Sequence, residues 1–132
     1  MDYLKYTFDF IHRNGIKEFA KEFYYKFFDN FYEWYFNVNT KGFVSTEDLG
    51  LDREKSSDYA SVHYRNIIRM LKKLPVDKTK STLLDYGCGK GRTLITAAAY
   101  KYKKIIGVEI SDLVDVANDN IDKGKHQRTK II

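Results

Sequence analysis

The segment Leu84-Asp85-Tyr86-Gly87-Cys88-Gly89-Lys90-Gly91-Arg92, followed by Glu109, constrains this chain more than anything else in it. Thr82-Leu83-Leu84 is a short apolar run ending in Asp85, and beyond the glycines Thr93 to Tyr100 is Ala-rich and helix-compatible. Ile105-Ile106-Gly107-Val108 reads as a second buried-type strand ending in Glu109. Ser111 or Asp112 is then placed to cap a helix carrying Leu113, Val116, Ala117, Asn120 and Ile121. The order is βαβα. A helix between the two strands predicts that they run parallel, with a right-handed return.

In an open α/β sheet, ligands bind beyond the carboxyl ends of the strands, where glycines let a ligand approach backbone that any Cβ would block. Two carboxylates, Asp85 and Glu109, bracket such a loop here. The spacing separates ligand classes. A dinucleotide fingerprint would put its third glycine at residue 92, which is Arg92, and a Walker loop would need a hydroxyl residue after Lys90, where Gly91 stands. Both NAD and ATP by these routes are disfavoured.

Asp-x-Gly-x-Gly-x-Gly at 85–91 with an acid at 109 resembles motif I and the second-strand acidic position of class I S-adenosylmethionine-dependent methyltransferases. The string through Ile106-Gly107-Val108-Glu109-Ile110-Ser111 is similar to small bacterial members, and the resemblance covers roughly residues 57–132. It implies an α/β fold: the N-terminal half of a Rossmann-like parallel sheet, preceded by an aromatic-rich helical extension. It also implies S-adenosyl-L-methionine as cofactor, held by Asp85, Gly87, Cys88, Gly89, Gly91 and Glu109. Glu109 suits the ribose diol, because a carboxylate accepts from two hydroxyls. Asp85 would serve the loop and the ammonium side, and the glycines would give backbone access. Cys88 and Tyr86 read as loop filling rather than nucleophiles, since methyl transfer needs none. Lys90 and Arg92 either meet the ligand carboxylate or face solvent. Tyr59 and Tyr64 either cover the methionine moiety or pack in the core.

The resemblance also implies a seven-strand sheet, of which this sequence supplies two strands and the start of a third at Thr129 to Ile132. The first strand is then expected to have an open edge, which invites pairing with another chain. Acceptor-side residues would lie beyond Ile132, so no catalytic residue is assigned. Two functions follow: the cofactor-binding half of a methyltransferase, inactive alone, or a non-catalytic interaction module on the same scaffold.

With 132 residues, one core is expected, divided here into an extension and connector at 1–52 and the partial cofactor domain at 53–132. Hydrophobic residues at 43% and charged residues at 31% are those of a folded globular protein. The single cysteine, Cys88, excludes an internal disulfide and a multi-cysteine zinc site, so a reducing cytoplasm is expected. His12, His63 and His126 are scattered, and no metal is expected. A net charge of +5 is too mild to argue for nucleic acid. Lys123, Lys125 and Arg128 around Gly124 read as a solvated helix end.

Of the 21 aromatic residues, most precede Asn37. From Ile16 to Phe36, the positions Ile16, Phe19, Phe23, Phe27, Phe31 and Trp34 recur at threes and fours and predict a buried apolar face. Lys17, Glu18, Lys21, Glu22, Lys26, Asp29 and Glu33 are assigned to the solvent face. These charges exclude a membrane span, and packing on the protein or on a partner is expected over a membrane interface. Residues 37–52 read as a connector with a short extended piece at Phe43 and Val44. A second helix, capped by Ser57 or Asp58, would bury Val62, Ile67, Leu71 and Leu74 and end before Pro75.

Overall fold

The computed structural model describes residues 3–124 and 128–132; Lys125 and His126, named above, lie outside them. Two helices lead the chain, α1 (Tyr3–Asn14) and α2 (Ile16–Phe36), separated at Gly15. Asn37, left-handed at φ 55°, ends α2, as Asn tolerates more readily than most residues. The connector then forms β1 (Phe43–Val44), which pairs antiparallel with β2 (Tyr59–Ala60).

This ribbon displaces the start of the next helix. Asp58 does not cap it; its carboxylate accepts from the Thr46 amide and hydroxyl, both at 2.7 Å. Ser57 likewise precedes β2, and α3 (Tyr64–Lys73) begins seven residues after it. The cap comes from another element: Asp29 of α2 accepts the Tyr64 amide at 2.9 Å. Ile67 and Leu71 are buried as expected, whereas Val62 and Leu74 are exposed, one lying before the helix and one after it. Leu74 is extended, as a residue before proline prefers.

The second half alternates as read from sequence: β3 (Thr82–Tyr86), α4 (Arg92–Ala98), β4 (Lys104–Val108), α5 (Leu113–Lys123) and β5 (Thr129–Ile131). The sheet is parallel in the order β3-β4-β5, with Asp85 beside Gly107 and Gly107 beside Ile131. Among the described residues, the outer edge of β3 is unpaired. The core lies on one side of the sheet, where Leu83, Ile105 and Ile131 meet Cys88, Leu94, Ala97 and Ile121. On the other side Leu84 and Tyr86 are exposed, and Ile106 and Val108 are only half-buried. Parallel strands normally carry cover on both faces.

The extension corrects the sequence reading. The face expected to be buried is largely open: Ile16, Phe23, Phe27, Phe31 and Trp34 are exposed, Trp34 by 76%, while Phe19 is half-buried. Asp29 and Glu33, assigned to solvent, are buried instead. The inward stripe is Tyr25, Asp29, Tyr32, Glu33 and Phe36, also spaced by threes and fours. A helix aromatic on most sides has no unique apolar face. Its orientation is set by the basic partner its carboxylates find.

Candidate functional site

The glycine loop runs from the end of β3 into α4 and folds across the end of β4. The amides of Gly87 and Cys88 donate to Val108 O at 2.8 and 3.0 Å, and Gly91 N donates to Cys88 O at 2.9 Å. Gly91 is left-handed at φ 84° and stands as the N-cap of α4. Gly89 is left-handed too, at φ 53°, and a Cβ there would come within 2.3 Å of the Tyr59 ring. The second requirement is steric and independent of the first.

Glu109 closes the loop from the neighbouring strand end. Its Oε2 accepts the Gly89 amide at 2.7 Å, while Oε1 accepts Ser111 Oγ at 2.7 Å, Ser111 N at 2.9 Å and Ile110 N at 3.0 Å. Partial burial opposes the charge, but the donors of Ser111, Gly89 and Ile110 outweigh it and hold the carboxyl below its usual range. Asp85 moves the other way: burial pushes its carboxyl up, the Thr93 side chain pulls it down, and the Glu109 charge adds to the rise. Two carboxylates on one cleft are thus shifted in opposite directions by their surroundings.

Asp85, Gly87, Cys88, Gly89 and Glu109 line one cleft of about 380 Å³, within the range of small-molecule sites. Gly91 lies behind it, against Ala117. Cys88 is buried, and burial pushes its thiol up to about 12, with the Asp85 and Glu109 charges adding. Such a thiol is a packing group and not a nucleophile. The wall facing the loop comes from the connector and β2, including Leu49, Leu51, Asp58 and Tyr59. Sequence reasoning placed residues before 53 outside the site, because a connector rich in Asn, Thr and Gly carries no periodic signal.

Arg92 and Lys90 do not simply face solvent: both are engaged by the chain itself, and Arg92 also borders the cleft. Arg92 is 4% exposed and turns toward the extension. Its Nε donates to Thr40 Oγ1 at 2.7 Å, Nη1 to Val62 O at 2.8 Å and to Asp29 Oδ2 at 3.4 Å, and Nη2 to Glu33 Oε1 at 3.1 Å. The guanidinium also lies 4.4 Å from the Tyr64 ring centroid. Lys90 donates to Lys41 O at 2.7 Å. Of the two tyrosines, Tyr64 is fully buried, its hydroxyl donating to Glu33 at 3.0 Å, so it is a core residue. Tyr59 is on the cleft wall, with its hydroxyl donating to Thr40 O at 2.6 Å.

Asp29, Glu33 and Thr40 are the residues that sequence reasoning missed. The available signals were an i, i+4 pair of carboxylates on an aromatic helix and an arginine directly after the last loop glycine. No group of side chains suited to a metal ion occurs among the described residues. Nor is any helix among them long and apolar enough to cross a membrane.

A comparison with established family profiles finds no match to this chain. The protein arginine N-methyltransferase 1 of Saccharomyces cerevisiae is 33% identical over 81 residues, which is 61% of this chain and 22% of that protein. The chain therefore spans about a fifth of the length of that curated relative. Among solved structures, YjhP from E. coli superposes with a TM-score of 0.47 at 22% identity, over 54% of this chain and 29% of that one.

Proposed function

We propose, from its glycine loop, its second-strand acid and its likeness to a curated methyltransferase, that this chain is the cofactor-binding half of a class I S-adenosylmethionine-dependent methyltransferase. One observation carries the reading: Asp85, the glycine loop and Glu109 line a single cleft beyond the carboxyl ends of two parallel strands. The residues suit the cofactor. Glu109 Oε2 accepts one hydrogen bond, from Gly89, and keeps acceptor capacity for a ribose hydroxyl. Asp85 offers the second negative charge, for the ammonium side. The aromatic edge of Tyr59 narrows the cleft over Gly89.

When bound, the cofactor supplies an already activated methyl group on its sulfonium. This chain's own residues bind and orient it, and the cleft wall from β2 limits access of water. The methyl acceptor is unidentified. The uncovered sheet face and the free edge of β3 support a complementing chain or self-association. A reducing, cytoplasmic setting suits the buried free thiol of Cys88.

Calorimetry with S-adenosylmethionine tests the reading. Saturable binding that is lost in Glu109→Ala and Asp85→Ala is expected; no binding at millimolar ligand would overturn it. The second reading, a non-catalytic interaction module, draws on the exposed aromatic rim of α2, and on it the same titration stays flat.

A further inference from the structure

We infer that the connector segment Asn39-Thr40-Lys41 is a positioning element that sets the shape of the glycine loop. It lies in the part of the chain that the motif does not cover, yet each of its residues is tied to a loop residue or to the partner of one. Asn120 of α5 spans two of these ties: its Oδ1 accepts Asn39 N at 2.9 Å, and its Nδ2 donates to Lys90 O at 3.0 Å. Lys41 O accepts Lys90 Nζ at 2.7 Å. Thr40 is fully buried and has every polar group engaged.

The Thr40 amide donates to Glu33 Oε2 at 2.8 Å, and its carbonyl accepts the Tyr59 hydroxyl at 2.6 Å. Its hydroxyl donates to Glu33 Oε1 and accepts Arg92 Nε at 2.7 Å. Tyr59 is in turn the side chain pressed against Gly89. The two residues flanking Gly91, and the ring above Gly89, are thus all referenced to one buried threonine segment. A glycine-rich loop has high backbone freedom and does not hold one conformation by local preference. Here tertiary hydrogen bonds, four of them charge-assisted, supply the missing constraint.

This inference deepens the cofactor-binding reading and rests on it for one of two readouts. In the full chain, Thr40→Val removes the hydroxyl while keeping the shape, and Thr40→Ser keeps the hydroxyl. The first readout is amide exchange at Gly89 and Gly91 relative to the Ile105 amide inside the sheet. Thr40→Val is expected to speed loop exchange by about tenfold on that ratio, and Thr40→Ser to restore it. The second is affinity for S-adenosylmethionine, expected to weaken by about tenfold in Thr40→Val and to recover in Thr40→Ser. Leu71→Ala, in the core of α3, is the stability control: it lowers Tm and speeds Ile105 exchange without raising loop exchange relative to it. Should Thr40→Val fail to fold, Glu33→Gln makes the same test. Unchanged exchange ratios, or equal effects of Val and Ser, would overturn the inference. If the wild-type chain binds no cofactor while the ratios respond, the functional reading falls and the positioning role stands.

Discussion

Glu109 and Asp85 differ by environment rather than by chemistry, and acid should separate them. Glu109 is held below its usual range by the donors of Ser111, Gly89 and Ile110. It therefore contributes stability that is present above its unfolded pKa and lost as pH falls through the lower folded value. Asp85 is shifted the other way, raised by its burial. If its charge holds the ammonium side of the cofactor, affinity should fall as pH drops toward the carboxylate range. Calorimetry across pH should show that fall in wild type, and Asp85→Asn should show weak binding with no such dependence. At Gly107 a Cβ would sit 2.6 Å from Leu94 Cδ1 and 2.7 Å from Cys88 Sγ. Gly107→Ala should cost about 1–3 kcal/mol in urea denaturation, the scale of an overpacked core.

Helix α2 is oriented by an ion cluster rather than by its apolar residues. Asp29 and Glu33 share Arg92, and Asp29 also meets His63 Nδ1 at 2.7 Å. Removing one partner of such a buried group leaves an uncompensated charge. Arg92→Met is accordingly expected to destabilise the chain by about 3–5 kcal/mol in chemical denaturation. The opposite holds on the outer side. Trp34→Gln, on the exposed rim of α2, should leave the unfolding midpoint nearly unchanged. A large loss in that variant would show that Trp34 is packed in solution.

For the whole molecule, the decisive feature is a parallel sheet covered on one face. Among the described residues, nothing covers the side on which Leu84 is 59% and Tyr86 83% exposed, next to the unpaired edge of β3. Such a surface promotes association. Sedimentation of the purified chain should show concentration-dependent association, and Leu84→Lys should shift it toward monomer without changing cofactor affinity. A wild-type chain that stays monomeric at high concentration would argue against this surface as an interface.

The strand-loop-helix-strand order, the parallel pairing and the cleft residues Asp85, Gly87, Cys88, Gly89 and Glu109 were all legible in the sequence. They are local: apolar runs, glycines and acids at short spacing define them without reference to distant chain. The side of α2 that packs, the delayed start of α3 and the direction taken by Arg92 were not legible. Each depends on a partner far along the chain: Asp29 capping Tyr64, Asp58 holding Thr46, and Glu33 with Thr40 drawing in Arg92. Periodicity marks which residues share a face but not which face is buried when both carry aromatics. That choice belongs to the tertiary structure, because a buried carboxylate is tolerated only where a guanidinium and hydrogen-bond donors meet it.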